Sequence, residues 1–157
     1  MLVFRAMNID VDSILRMIAA VAAGGAIGFN RDVQGKPTGI RAHALVSLGA
    51  AIVVIAGSAP HIGREDPAAT SRVIQGIVAG VGFLGAGVIL RGRGARVYHL
   101  TTASSLWVTT GVGVLCGLAA WVEAAIATAL VLAVLVIGQR LDKWLYGISG
   151  IKEDDRE

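Results

Sequence analysis

The sequence predicts an all-α, polytopic membrane protein, a bundle of about five transmembrane helices with the N-terminus outside and the C-terminus inside. Three observations carry this reading. Hydrophobic residues make up 55% of the 157 residues and charged residues 16%, where a soluble domain carries about a quarter charged; mean hydropathy is +0.70. The run Val73–Leu90, VIQGIVAGVGFLGAGVIL, holds no charge and is long enough to cross the ~30 Å hydrocarbon core as a helix. Finally, Arg and Lys are distributed unequally between alternate connecting segments, as cytoplasmic loops require.

The first span is expected over 11–29. A cleaved signal peptide fits poorly, because Asp10 and Asp12 precede the apolar stretch and GGAIGFNR continues it into a positive flank. Arg16 lies near the outer end, where its stem can snorkel to the interface. The second span covers 42–59 and the third 73–90. The run from Leu100 to Gly138 is too long for one crossing of about 20 residues. Gly117 and the isolated Glu123 mark a tight hairpin, which divides the run into spans 100–118 and 121–138. This organisation gives an extracytoplasmic segment 1–12, a transmembrane domain 13–140, and a cytoplasmic tail 141–157 without a soluble C-terminal domain.

Five crossings put the termini on opposite sides. With the N-terminus outside, the inner segments hold Arg31, Lys36, Arg41, Arg91, Arg93, Arg96, Arg140, Lys143, Lys152 and Arg156, ten of fourteen basic residues. Merging the last two spans would leave the basic tail outside.

Glycines need a reason inside such spans, since each costs a helix in water ~1 kcal/mol relative to Ala. In lipid they let backbones approach. Gly24 and Gly28 in span one, Gly76 and Gly80 in span three, and Gly113 and Gly117 in span four lie four apart, with Gly87 seven beyond Gly80. Gly82, Gly85 and Gly87 have two readings, close packing or a bend that exposes carbonyls to an ion. Gly80-x-Gly82-x-x-Gly85 formally spells a dinucleotide fingerprint. That motif needs a preceding strand and a soluble helix N-terminus, so its transmembrane setting excludes it. The lone Cys116 excludes an internal disulfide and matches no metal pattern.

The segment Asn30-Arg31-Asp32-Val33-Gln34-Gly35-Lys36-Pro37-Thr38-Gly39-Ile40-Arg41 is read as an inner loop. Gly35, Pro37 and Gly39 impose a compact path that holds Arg31, Lys36 and Arg41 together. Attraction to anionic headgroups accounts for the basic residues, at ~1 kcal/mol each. It does not account for Asp32, which suits an ion pair with an arginine at the mouth of the bundle. Span four opens His99-Leu100-Thr101-Thr102-Ala103-Ser104-Ser105-Leu106-Trp107. Its hydroxyls can bond their own helix or a neighbour, and its N-terminus favours an anion. His99 is read as interfacial, Trp107 as a packing residue, and Trp121 and Trp144 as anchors at the outer and inner interfaces.

NRDVQGKPTGIRAHALVSLG, QGIVAGVGFLGAGVIL and HLTTASSLWVTTGVGVLCGLA, in that order over roughly residues 14 to 138, resemble the membrane domain of the MgtC/SapB family. The resemblance implies a bacterial inner-membrane protein of about five spans, associated with growth at low magnesium and survival inside host cells. Some members resemble regulators that bind other membrane proteins, including the F-type ATP synthase. The family pattern has Glu where this chain has Asn30, Gly where it has His99, and in some members Asn where it has Thr101. Longer relatives carry a C-terminal module resembling an ACT domain.

The resulting expectation is a homo-oligomeric, non-enzymatic factor for magnesium limitation or stress that modulates a membrane partner such as the ATP synthase. Its working surface would comprise Arg31, Asp32, Lys36, Arg41, Arg91, Thr101 and Thr102. No catalytic residue, cofactor or nucleic-acid partner is expected; Mg²⁺ is the candidate ligand or cargo. The alternative is a small-ion transporter or channel, with Gly82 to Gly87 and Thr101 to Ser105 supplying carbonyls and hydroxyls. Against it stands the lack of intramembrane carboxylates, which hard cations favour.

Overall fold

A computed structural model describes residues 11–58, 67–89 and 99–149. These form five helices and no strand: α1 Val11–Val33, α2 Ile40–Ser58, α3 Pro67–Ile89, α4 Leu100–Gly117 and α5 Trp121–Ser149. Each contains a stretch long and apolar enough to cross a membrane. The expected spans are all present, but α1, α3 and α5 run beyond them. A helix continues after its apolar stretch leaves the bilayer core, because its backbone bonds do not depend on lipid. Asn30, Arg31, Asp32 and Val33 therefore lie in the last turn of α1 rather than in a loop.

Successive helices alternate in direction. Arg31 of α1, the start of α2 and the start of α4 meet at one end of the bundle. Arg16 of α1 and the C-terminus of α4 meet at the other. The ends of α1 and α4 are closed by the same backbone device, in which a residue with positive φ lets two amides return to carbonyls of the last turn. After α1, Gly35 (φ 64) and Lys36 donate to Asp32 O and Arg31 O. After α4, Ala119 (φ 57) and Ala120 donate to Cys116 O and Leu115 O. Gly35 adopts this conformation freely, whereas Ala119 carries a Cβ into it. The second motif makes the hairpin that Gly117 and Glu123 had marked.

α4 is the central helix. Of its apolar window 61% is buried inside the protein, against 6% for α3 and for α5, and it contacts all four other helices. Ala20, Ile27, Ala51, Val112, Cys116 and Ala124 form the principal core cluster, with Cys116 a buried free thiol. The side chains there are small, so helix backbones approach closely. An added Cβ at Gly24 would lie 2.6 Å from His43 O and 2.8 Å from Ser47 Cβ. At Gly28 it would meet Ile40 Cα at 2.6 Å, and at Gly117 Val54 Cβ at 2.8 Å. At Gly113 it would run into the backbone of Ser47.

Span three differs from the expectation of glycine packing. An added Cβ at Gly76, Gly80, Gly82 or Gly87 would meet no described atom within 4 Å, and at Gly85 it would make only an ordinary 3.8 Å contact with Ala103. Glycine spacing alone does not say which face turns inward; α3 lies at the edge of the bundle and turns these residues outward. Trp107 is likewise corrected, since it is 54% exposed on the outer face of α4. The inward face of α4 is taken by the small and hydroxyl residues that allow close approach.

Candidate functional site

Four of the polar residues that the fold buries, Arg31, His43, Thr102 and Ser105, gather at one end of the bundle, while Ser47, Thr109 and Thr110 lie deeper. Arg31 is in the last turn of α1 and is only 4% exposed. Its Nη2 donates to Thr102 Oγ1 at 2.8 Å, joining α1 to the first turn of α4. Its Nε is buried without a hydrogen-bond partner. A buried guanidinium costs several kcal/mol when it lacks a counter-charge, so this side chain is not placed there by packing alone.

Asp32 pairs with no arginine among the described residues. Its Oδ2 accepts the Ile40 N–H at 2.9 Å and caps the start of α2. The role follows from the short turn after α1, which brings the beginning of α2 back beside Asp32. Gly39 is required there, because a Cβ would overlap the Asp32 carboxylate. Asp32→Ala is expected to cost about 1 kcal/mol, the usual worth of a cap. Asp32→Asn should retain most of it, which thermal unfolding in detergent would measure.

His43 and Ser105 complete the cluster, and neither is among the expected site residues. His43 is fully buried; its Nδ1 lies 3.1 Å from Gly39 O and its Nε2 3.1 Å from Ser105 Oγ. A carbonyl only accepts, so Nδ1 must carry a proton to bond Gly39. Ser105 Oγ meanwhile donates to Thr102 O at 2.8 Å. With a neutral ring, the serine proton must choose between Thr102 O and His43 Nε2. With an imidazolium, all three bonds form together. Arg31, Thr102, Ser105 and His43 thus make one chain of donors and acceptors across α1, α4 and α2. A single ionisable side chain, His43, inside the uncharged second span is the signal that could have marked the position.

The other expected residues are dispersed. Thr101 and Arg41 are exposed, and Lys36 is half-buried in the turn after α1. Arg91 lies outside the described residues, as do Arg93 and Arg96. Ser104, Thr109 and Thr110 donate to carbonyls of their own helix, four residues back. His99 precedes α4 with φ 65 and gives no side-chain cap. The family pattern of Gly at this position suits that backbone, which a side chain rarely adopts.

Arg16 contrasts with Arg31 at the opposite end. Arg16 forms a salt bridge with Asp12 and donates from Nη1 to Gly117 O at 3.0 Å. It does more than snorkel, because it holds the last carbonyl of α4, where a cation complements the helix dipole. A groove of about 370 Å³ between α2 and α3 is walled by apolar residues including Leu45, Val53, Ile77 and Leu84. No charged side chain lines it, and its one hydroxyl, that of Thr110, donates to its own helix. Among the described residues no three His, Cys, Asp or Glu side chains group as a metal site.

Protein MgtC of Salmonella typhimurium (strain LT2) is 39% identical over 143 residues, covering 88% of this chain and 59% of that protein. Protein SrpB of Synechococcus elongatus is 38% identical over 144 residues, covering 83% and 78%. A protein of Escherichia coli K12 named "Putative magnesium transporter YhiD" is 41% identical over 112 residues, covering 66% and 50%. The chain therefore spans about three fifths of the Salmonella protein. No solved structure matches it. The family model for the MgtC family matches residues 17–144, which takes in most of α1 through α5, and this multi-pass membrane protein belongs to the MgtC family.

Proposed function

We propose that this protein is a non-enzymatic factor of the bacterial inner membrane that supports adaptation to magnesium limitation by binding and modulating another membrane protein. The F-type ATP synthase is the partner that the family resemblance implies. In this reading the Arg31 end faces the cytoplasm and is the working surface. The observation that carries it is the buried Arg31–Thr102–Ser105–His43 chain, which places a buried arginine and a buried histidine together at one end of a small-residue bundle. Intramembrane ionisable groups that persist despite such a cost point to function. The link to magnesium is supported by family membership and by the name of the Escherichia coli relative.

That name also favours the second reading, a transporter of Mg²⁺. Electrostatics weighs against a path through the cluster, because the Arg31 guanidinium repels a dication most strongly where water is scarce.

Arg31 and Arg41 are separable, the one buried and bonded to α4, the other exposed on α2. In a strain lacking the native gene, Arg31→Gln should lose support of growth in low-Mg²⁺ medium, and Arg41→Gln should keep most of it. Protein levels in the membrane must be matched. Undiminished growth with Arg31→Gln would end the assignment of the working surface. Mg²⁺ flux in liposomes, above that of empty vesicles, would replace regulation with transport.

A further inference from the structure

We propose that the Arg31 end of the bundle is an oxyanion site that takes a phosphate-type group beside the joined Arg31 guanidinium and first turn of α4. The inference rests on the reading of this end as the working surface, but it concerns what binds there rather than what growth depends on it.

Two independent observations meet at this point. The first is a cation without a counter-charge among the described residues. Arg31 is 96% buried, being 4% exposed; its Nε has no partner, and its one recorded hydrogen bond is to the neutral hydroxyl of Thr102. The neighbouring carboxylate of Asp32 is turned to the Ile40 amide. The bundle supplies a carboxylate even to a half-buried arginine, as it does at Arg16 with Asp12. At Arg31 none of the described residues does so.

The second observation is the helix that Arg31 touches. α4 is eighteen residues long, begins at Leu100, and has neither a side-chain cap nor an acidic residue in its first turn. Ala103 N–H reaches His99 O at 3.0 Å; Leu100, Thr101 and Thr102 precede any carbonyl one turn back within the helix. Their amides carry the positive end of the dipole. Thr102 Oγ1, which accepts from Arg31, fixes the guanidinium beside these amides. Two positive potentials placed together without an anion oppose one another; an oxyanion beside the pair satisfies both. A guanidinium fork with helix-terminal amides suits phosphate oxygens in particular.

The phosphate-type group has two sources, a lipid headgroup or a soluble phosphate, and the experiment separates them. The full chain is purified in detergent, and its thermal unfolding is followed in potassium phosphate and in potassium chloride at equal ionic strength. The same protein is placed in nanodiscs of phosphatidylglycerol or of phosphatidylcholine, and native mass spectrometry counts the retained lipid. A rise in unfolding temperature specific to phosphate supports a soluble ligand. Selective retention of phosphatidylglycerol supports a headgroup.

In either case Arg31→Gln should weaken the response about tenfold to hundredfold, the worth of a charge-assisted contact. Thr102→Val, which retains the arginine but removes the hydroxyl that positions it, keeps the test open should Arg31→Gln fail to fold and should weaken the response about threefold to tenfold. The proposal is overturned if wild type ignores both sources, or if both variants respond as wild type does. In the first event, the counter-charge of Arg31 would have to come from a carboxylate, either of a protein partner or of this chain outside the described residues. Loss of low-Mg²⁺ growth in Arg31→Gln without any phosphate response removes the oxyanion and leaves the working surface. Phosphate binding with normal growth does the reverse.

Discussion

Gly113→Ala is expected to destabilise the bundle by about 3 kcal/mol, the upper part of the range for overpacking a well-packed interior. One methyl group suffices, because it would overlap the carbonyl oxygen of Ser47 and lie 2.8 Å from both Ser47 Cα and C. Backbone atoms in the middle of α2 cannot swing aside as a side chain does, so α2 and α4 must separate. Separation would also disturb α1, whose Gly24 approaches Ser47 from the other side. Ser47 itself is fully buried, and the three helices meet at this residue. Gly80→Ala is the control. An added Cβ there meets no described atom within 4 Å, and alanine's better helix propensity predicts no loss, or a gain of up to ~1 kcal/mol. Unfolding of both variants in the same detergent gives the comparison. Equal stability of Gly113→Ala and wild type would mean that the α2–α4 approach is looser than described.

His43→Ala should cost about 3 kcal/mol, within the range for emptying a fully buried site. The imidazole is 0% exposed and fills the space between the start of α2 and the start of α4. Its loss removes both a packed ring and the link to Ser105. The remaining groups are not all orphaned, which sets an upper limit on the effect. Gly39 O still accepts the His43 backbone N–H at 3.2 Å, and Ser105 still donates to Thr102 O. Packing therefore contributes more of the loss than hydrogen bonding. His43→Gln, which can donate and accept at similar reach, should recover part of the stability. If His43→Leu is as stable as wild type, the ring is held for its shape and the hydrogen-bonded chain contributes little to folding. Low-Mg²⁺ growth of that variant then reports whether the chain matters to function.

Much of the architecture follows from local rules. Helix number, the division of the run from Leu100 to Gly138 and the compact turn at Gly35 depend on hydropathy, length and backbone freedom. All three are properties of neighbouring residues. The polar start of span four also stands out in the sequence, and Thr102 is indeed where α1 bonds α4. Asp32 shows where such reading stops. Its charge suggests an arginine partner, but the return of the chain at Gly39 presents it with a backbone amide.

The sequence by itself determined that this chain forms five lipid-length helices with basic residues concentrated in alternate connections. Those features depend on residue type and order along one dimension. Only the tertiary structure decided which helix is central, which glycines touch a neighbour, and that His43 and Ser105 join Arg31 and Thr102. The physical reason is rotation about the helix axis. Gly76 and Gly80 have the same spacing as Gly24 and Gly28, yet one pair faces outward and the other lies against α2 and the turn before it. In lipid, where the surroundings are as apolar as the interior, hydrophobicity does not fix that rotation. Close backbone packing and the few hydrogen bonds between helices do.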